Sequence, residues 1–363
     1  MTRMDFTALF YSQVHNRETL LSGLDSLLGT EVHPVTIVPY ASEQPPAECF
    51  EAGGRNRSLR PLGVYDDVTL FELAFHPTKM ERETEVVKGK FFVCEHPSFQ
   101  NVFLAITVES ADFVRRALLP FIEQNRSQIY LTFIRHDDLH SLLQNLRDGH
   151  GFSDLRVVRA SLISRRGETI IPSLSWPRLG LEGAFEYAQE QNGWFKSLTF
   201  EALRASKVFA ATSVYRNGVV RTDGEFDAVY GSLVLPMCQA INENVALFAG
   251  RGRRENPHLA VRPLAIDFGR DQFEDTEENV KLISAMRELE NASVSVMHGN
   301  PYVSLSVVDY FDGSTFDLWV LNPREVIIVP QLKSSIAGIR RLISCIFDNY
   351  AEGAIRDFHT LRQ

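Results

Sequence analysis

The chain has 363 residues, a formal net charge of −9, 44% hydrophobic and 23% charged residues, enough apolar material for more than one core. No apolar run approaches the roughly 18 residues of a membrane-spanning helix, and the acidic balance argues against a surface that attracts nucleic acid or anionic lipid as a whole. Cys49, Cys94, Cys238 and Cys345 have neither metal-site nor disulfide-framework spacing, so reduced, buried thiols in a cytoplasmic protein are expected, with no membrane partner and no cofactor.

Along the chain, Asp5 to Val14 reads as a strand, with no small-residue cleavage site that would make it a signal peptide. Arg17 to Leu28 reads as a helix behind an Asn16 cap, with Leu20, Leu21, Leu24, Leu27 and Leu28 on one stripe. Strand-like runs follow at 68–75, 87–94 and 102–108, and 110–124 has helical spacing. The strand Gln128–Ile134, the helix Asp138–Arg147 and the strand Leu155–Ile163 form a candidate βαβ unit with parallel strands.

Arg165, Arg166, Gly167, Pro172, Pro177 and Gly180 break any period, which places a domain boundary there. The expected organisation is an N-terminal α/β domain over 1–165, a linker or crossover over 166–193 and a C-terminal α+β domain over 194–363. In the latter, Asn217-Gly218 predicts a type I′ hairpin turn, and Phe226 to Phe248 predicts the longest helix, kinked at Pro236. Asp275 and Glu278 predict a capping box on a helix with Val280, Ile283, Met286 and Leu289 inward, then a four-stranded meander and a helix over 335–350. The fold class is mixed, α/β to α+β, with strand-rich sheets covered by long amphipathic helices. Val114-Arg115-Arg116-Ala117-Leu118 and Ile339-Arg340-Arg341-Leu342-Ile343 each close a run of strands, the pattern two halves of like topology would produce, although any amphipathic helix laid over a sheet reads the same way.

Glycine-rich phosphate loops, a nucleophile elbow and zinc signatures are all missing from the sequence. The best chemical constellation is His136, Asp137, Asp138 and His140, between an apolar strand and a helix. Two imidazoles and two carboxylates there could hold a divalent metal for a nuclease or phosphohydrolase. Equally, Asp137 suits a helix N-cap and Asp138 the positive helix end, and no metal site is assigned. Asp267 lies within an apolar run and needs a partner, with Arg262 and Arg270 the nearest. His298, Asp309, Asp312 and Asp317 gather around the meander.

Arginine outnumbers lysine 30 to 7. Arg165, Arg166, Arg251, Arg253 and Arg254 are the candidate phosphate contacts, with Trp176 and Trp194 as stacking platforms. The reading is a non-catalytic subunit or interaction module that binds a protein partner or a second copy through sheet edges or long helices, with nucleic acid as the candidate non-protein ligand.

Overall fold

The computed structural model describes residues 10–28, 34–42, 44–50, 56–77, 85–125, 129–163, 169–171, 175–253, 258 and 260–358. It is a mixture of helices and antiparallel strands in two open sheets. The chain divides into two compact units, residues 1–162 with 171–242, and 163–170 with 243–363. Among the described residues no helix is long and apolar enough to cross a membrane.

The first unit contains α1 (Arg17–Leu28), β1 (Val35–Ala41), α2 (Pro46–Cys49) and the strands β2 (Arg57–Tyr65), β3 (Val68–Phe75), β4 (Val87–Glu95) and β5 (Val102–Thr107). Asn16 caps α1 by accepting from the Thr19 N–H at 2.8 Å. Phe10–Gln13 is helical rather than extended. Phe10, Tyr11 and Val14 are all buried, a spacing that suits a helix, and both rings pack on Phe92. Asp5 to Leu9 lies outside the described residues.

β2 to β5 form an antiparallel meander, and β1 returns to pair antiparallel with β5. All seven residues of β1 are buried, including Pro39, which hid the strand in the sequence.

Next come three helical pieces that run on as α3: Ala111–Phe113, a π-helical turn Val114–Leu118, and Leu119–Gln124. Its stripe of Phe113, Val114, Ala117, Leu118, Phe121 and Ile122 packs into one cluster with Val38, Tyr40, Phe71 and Phe91.

The chain runs on through β6 (Tyr130–Leu131), α4 (His136–Gly149), β7 (Asp154–Ile163), β8 (Thr169–Ile171), whose first two residues are assigned to the second unit, β9 (Leu179–Gly180), α5 (Leu181–Glu190), β10 (Trp194–Arg204), β11 (Lys207–Tyr215) and β12 (Val220–Asp223). The first unit ends at Asn242, inside α6, which is made of Phe226–Val229, a π-helical turn Tyr230–Val234, and Leu235–Phe248. The sheet order is β2-β3-β4-β5-β1-β12-β11-β10-β7-β8, with β6 on β1 and β9 on β7.

Three expectations change. β6 pairs with β1 and β7 with β9, both antiparallel, so the strands flanking α4 are not parallel neighbours. Residues 194–223 continue the first sheet through the β1·β12 ladder, so the units do not divide at 166–193. In the β11–β12 loop Gly218 alone of the Asn-Gly pair has a positive φ, and the Gly218 N–H donates to the Tyr215 carbonyl at 2.9 Å; this is a three-residue loop closed by a left-handed glycine rather than a type I′ turn.

In α3 and α6 the π-turn immediately precedes Leu-Pro. Leu119 donates its N–H to Val114 O and Leu235 to Tyr230 O, five residues back in each case. Proline lacks a donor, and its ring crowds the carbonyl four residues earlier. One inserted residue shifts the hydrogen-bond register ahead of Pro120 and Pro236 and lets each helix continue.

The second unit contains β13 (Leu264–Asp267), α7 (Thr276–Arg287), β14 (Ala292–His298), β15 (Val303–Asp309), β16 (Ser314–Asn322), β17 (Glu325–Pro330), α8 (Ile336–Asn349) and β18 (Ala354–Asp357), in the sheet order β14-β15-β16-β17-β13-β18. The expected meander is present. In α7 Asp275 accepts from the Glu277 and Glu278 N–H groups, but the inward residues are Asn279, Leu282, Ala285 and Met286, and Val280 is exposed. The shift follows from Asn279, whose amide donates to the Pro301 carbonyl at 3.2 Å.

The order β14-β15-β16-β17-β13 repeats that of β2-β3-β4-β5-β1. Each repeat closes with a helix capped by serine: Ser110 accepts from the Phe113 N–H at 3.2 Å and Ser335 from the Gly338 N–H at 2.9 Å. Six residues after each cap an arginine reaches an aromatic ring, Arg116 over Phe75 at 6.0 Å and Arg341 over Phe311 at 4.8 Å. The sequence similarity between the two helices therefore reflects a shared topology.

The close helix–sheet contact is built oppositely in the two repeats. A Cβ on Gly89 of β4 would lie 2.6 Å from the Phe113 ring, whereas in the second unit the glycine is on the helix, with a Cβ on Gly338 falling 2.7 Å from Ser314. Alanine in a strand interior ordinarily gains about 0.5–1 kcal/mol over glycine. Gly89→Ala should instead lose about 1–3 kcal/mol in urea denaturation, the cost of overpacking. Phe113→Leu should recover part of that loss in a double-mutant cycle; strictly additive effects would exonerate Phe113.

Candidate functional site

α4 begins at His136, with Arg135 rather than Asp137 in the N-cap position and no side-chain cap. Arg135 instead grips Asp138 through two hydrogen bonds of 2.7 and 2.6 Å. Asp137 is exposed. The His136 ring meets both Phe185 of α5 and Phe195 of β10, with centroids at 4.8 and 5.2 Å, and those two rings also meet each other at 4.9 Å. His140 stacks on Phe185 at 4.2 Å, and its Nε2 is 3.0 Å from Glu182 Oε2. Glu182 also accepts from Arg147 at 2.9 Å. Burial opposes its ionisation, but hydrogen bonds from Arg147, His140 and Gln144 outweigh this and lower its pKa.

The four side chains thus diverge. His136 enters an aromatic cluster that includes Trp176 and Tyr187, His140 faces Glu182, Asp138 serves Arg135, and Asp137 points to solvent. Among the described residues no three His, Cys, Asp or Glu side chains gather as metal ligands. The arrangement attaches α4 and α5 to β10. Phe185, Glu182 and Phe195 had no local signal in the sequence, because each lies more than 40 residues from the histidine it meets.

Asp267 stands at the end of β13 and accepts from the Gly269 N–H at 2.8 Å. Its ionic partners are Arg324 at 3.8 Å and Arg356 at 3.6 Å, not Arg262 or Arg270. Arg356 also reaches Glu325 at 2.5 Å, so β13, β17 and β18 share one charge network. The other meander residues disperse as well. Asp309 and Asp312 meet Arg341 at 2.7 and 2.9 Å, Asp317 accepts from Gln331 at 2.6 Å, and His298 Nδ1 lies 2.9 Å from the Tyr302 carbonyl. Burial works against ionisation of Asp312, but hydrogen bonds from Ser335 and Ser314 and the charge of Arg341 bring its pKa below the usual carboxylate range.

Of the candidate phosphate contacts, Arg165, Arg166 and Arg254 lie outside the described residues. Arg251 is a correction: it is 1% exposed, its Nη2 is paired with Asp357 of β18, and its Nε donates to the Arg262 carbonyl at 3.1 Å. Arg253 is half-buried, and its N–H donates to the Ser334 carbonyl at 2.9 Å. Trp176 is buried and donates to the Val157 carbonyl at 3.1 Å, so it offers no face for base stacking. The sequence matches no protein-family model and no curated protein.

Two measurements test these assignments. Burial lowers the His136 pKa from 6.5 to about 4, partly offset by Asp137 and reinforced by His140 and Arg216. Between these values the unfolded chain takes up a proton that the folded chain refuses, so stability is full above about pH 6.5 and falls as pH drops, by at most about 1.4 kcal/mol per unit. His136→Phe, which keeps the ring packing, should lose about 2 kcal/mol less than the parent between about pH 7 and pH 4.5 in urea titrations; equal losses would mean that His136 is solvated. Asp357→Asn leaves the buried Arg251 charge without its counter-ion and should cost about 3 kcal/mol, with a loss below about 0.5 kcal/mol placing Arg251 in solvent.

Proposed function

We propose that the chain is a non-catalytic subunit of a cytoplasmic multi-protein assembly, and that it binds through a sheet edge. The observation that carries this reading is β14, the outermost strand of the second sheet, which pairs on one side with β15 and on the other with nothing among the described residues. Its sequence, Ala-Ser-Val-Ser-Val-Met-His, has no acid, lysine, arginine or proline, whereas edge strands that stay unpaired commonly use charge or proline to repel a second strand. A free edge of this kind offers a row of backbone donors and acceptors to an incoming strand.

The cytoplasmic assignment is supported by the free, buried thiols of Cys94, Cys238 and Cys345, which suit a reducing compartment. Burial pushes their pKa values up to about 12, 12 and 11, so they are poor nucleophiles near neutral pH. The ring packing of His136 and the internal partners of Asp138, His140 and Asp267 support a structural role for the sites that carry most of the sequence's chemistry.

Val296→Lys places a charge on the edge at a residue that is itself 41% exposed. Tagged parent and variant chains should be isolated from their native cells after brief chemical cross-linking. Proteins recovered with the parent, a second copy of the chain included, should be depleted at least about tenfold with the variant, a loss near 1.4 kcal/mol in binding. Identical sets would reject β14 as the binding edge.

A further inference from the structure

We infer that β14 pairs antiparallel with β14 of a second copy of this chain about a two-fold axis, joining two six-stranded sheets into one. The inference rests on the edge-binding reading above and names its partner.

The first argument is a comparison within the molecule. β2 occupies in the first repeat the place that β14 occupies in the second unit, the free end of an equivalent strand order. It is guarded by Arg57, Arg60 and Pro61, and its register slips between Pro61 and Gly63. β18, at the opposite end of the second sheet, carries Arg356 and Asp357, both engaged in ion pairs. Proline and a slipped register remove or misalign the donors that an extra strand needs, and charge makes stacking of like edges costly. β14 has none of these guards along 292–296, its one irregularity lying between Val296 and His298.

The second argument is self-complementarity. With the axis at Ser295, Val294 faces Val296 of the second copy and Ser295 faces itself. Val294 and Val296 pair within the sheet with Val307 and Leu305, and Ser295 with Ser306, so one face of the joined edge is aliphatic and the other carries hydroxyls in both copies. A two-fold normal to the sheet keeps each face with its like. No charge meets a like charge across the pair, and β-branched neighbours directly opposite each other favour pairing.

The third argument is the apolar surface around the edge. Val296 is 41%, Met297 71%, Tyr302 58% and Val280 60% exposed. A Cβ on Gly299 would lie 3.9 Å from Val296 and 3.8 Å from Ile283 of α7, so Ile283 borders the same edge. A second copy brings the same side chains to the other side of the axis, where each set can cover the other.

Sedimentation velocity on the full chain should show a dimer at about 10 μM. Val296→Lys, which sets two ammonium groups near each other across the axis, should weaken dimerisation at least about 100-fold, or roughly 2.7 kcal/mol, with an unchanged far-UV circular dichroism spectrum. Ser295→Cys should form an intermolecular disulfide under mild oxidation, since facing residues in antiparallel pairs lie within disulfide reach, and Val296→Lys added to it should suppress the link. A parent chain that sediments as a monomer at every concentration overturns the inference, as does a dimer that Val296→Lys leaves intact. If that monomer still loses cross-linked proteins with Val296→Lys, a foreign strand occupies the edge and only the self-pairing fails; if it loses none, the edge-binding reading fails with it.

Discussion

β1 and β13 each leave their chain neighbours and pair antiparallel with the last strand of the meander that follows, β5 and β17. Their long-range ladders determine most of what surrounds them. A leading strand drawn inward is covered on both faces, and β1, β5 and β17 are buried at every position. That requires an apolar sequence without alternation and fixes where the closing helices can lie. The pairing also leaves the far side of each leading strand open, where unsatisfied N–H and C=O groups would be costly if buried unpaired.

The two units answer this demand differently. In the first, β1 pairs with β12, so the two halves of the unit cancel each other's open edge. The second unit has a single repeat, and the equivalent position beside β13 is taken by β18. Four residues supply few ladder bonds, and β18 is fastened by charge as well: Asp357 to the buried Arg251, and Arg356 to Glu325 and Asp267. Arg251 and Asp267 look like ligand-binding residues in the sequence because they are a cation and a carboxylate in otherwise unsuitable surroundings. They are there to hold a short strand.

This explains how far the sequence could be read. The meander over 292–330 and its closing helix were legible because strand alternation, turn residues and helical spacing are local signals. α6 was legible from its period; Pro236, where a kink was expected, follows a π-turn, as Pro120 does in α3. β1, β13 and β18 were not identified as strands, since Pro39 argues against a central strand and the other two are only four residues long. The division between units was misplaced for a similar reason. Proline and glycine interrupt the local period near 164–180, but the β1·β12 ladder that carries the first unit onward joins residues nearly 190 apart. At the candidate site the histidines were found and their partners were not, and Asp357 lies 106 residues from Arg251.

Edge protection follows the same logic to its last step. β18 covers the inner edge of the second unit at the cost of burying the Arg251 charge, whose desolvation offsets part of the Coulombic gain from Asp357. Guarding β14 would have required far less, one lysine or proline at a solvent-facing position, as Arg60 and Pro61 show on β2. One sheet therefore carries both an elaborately closed edge and an unguarded one. Chance exposure of a neutral Val-Ser-Val strand is opposed by aggregation, because such an edge accepts further strands without limit unless the geometry closes. A two-fold pairing closes at two copies and leaves β18, with its ion pairs, as the outer edge on both sides.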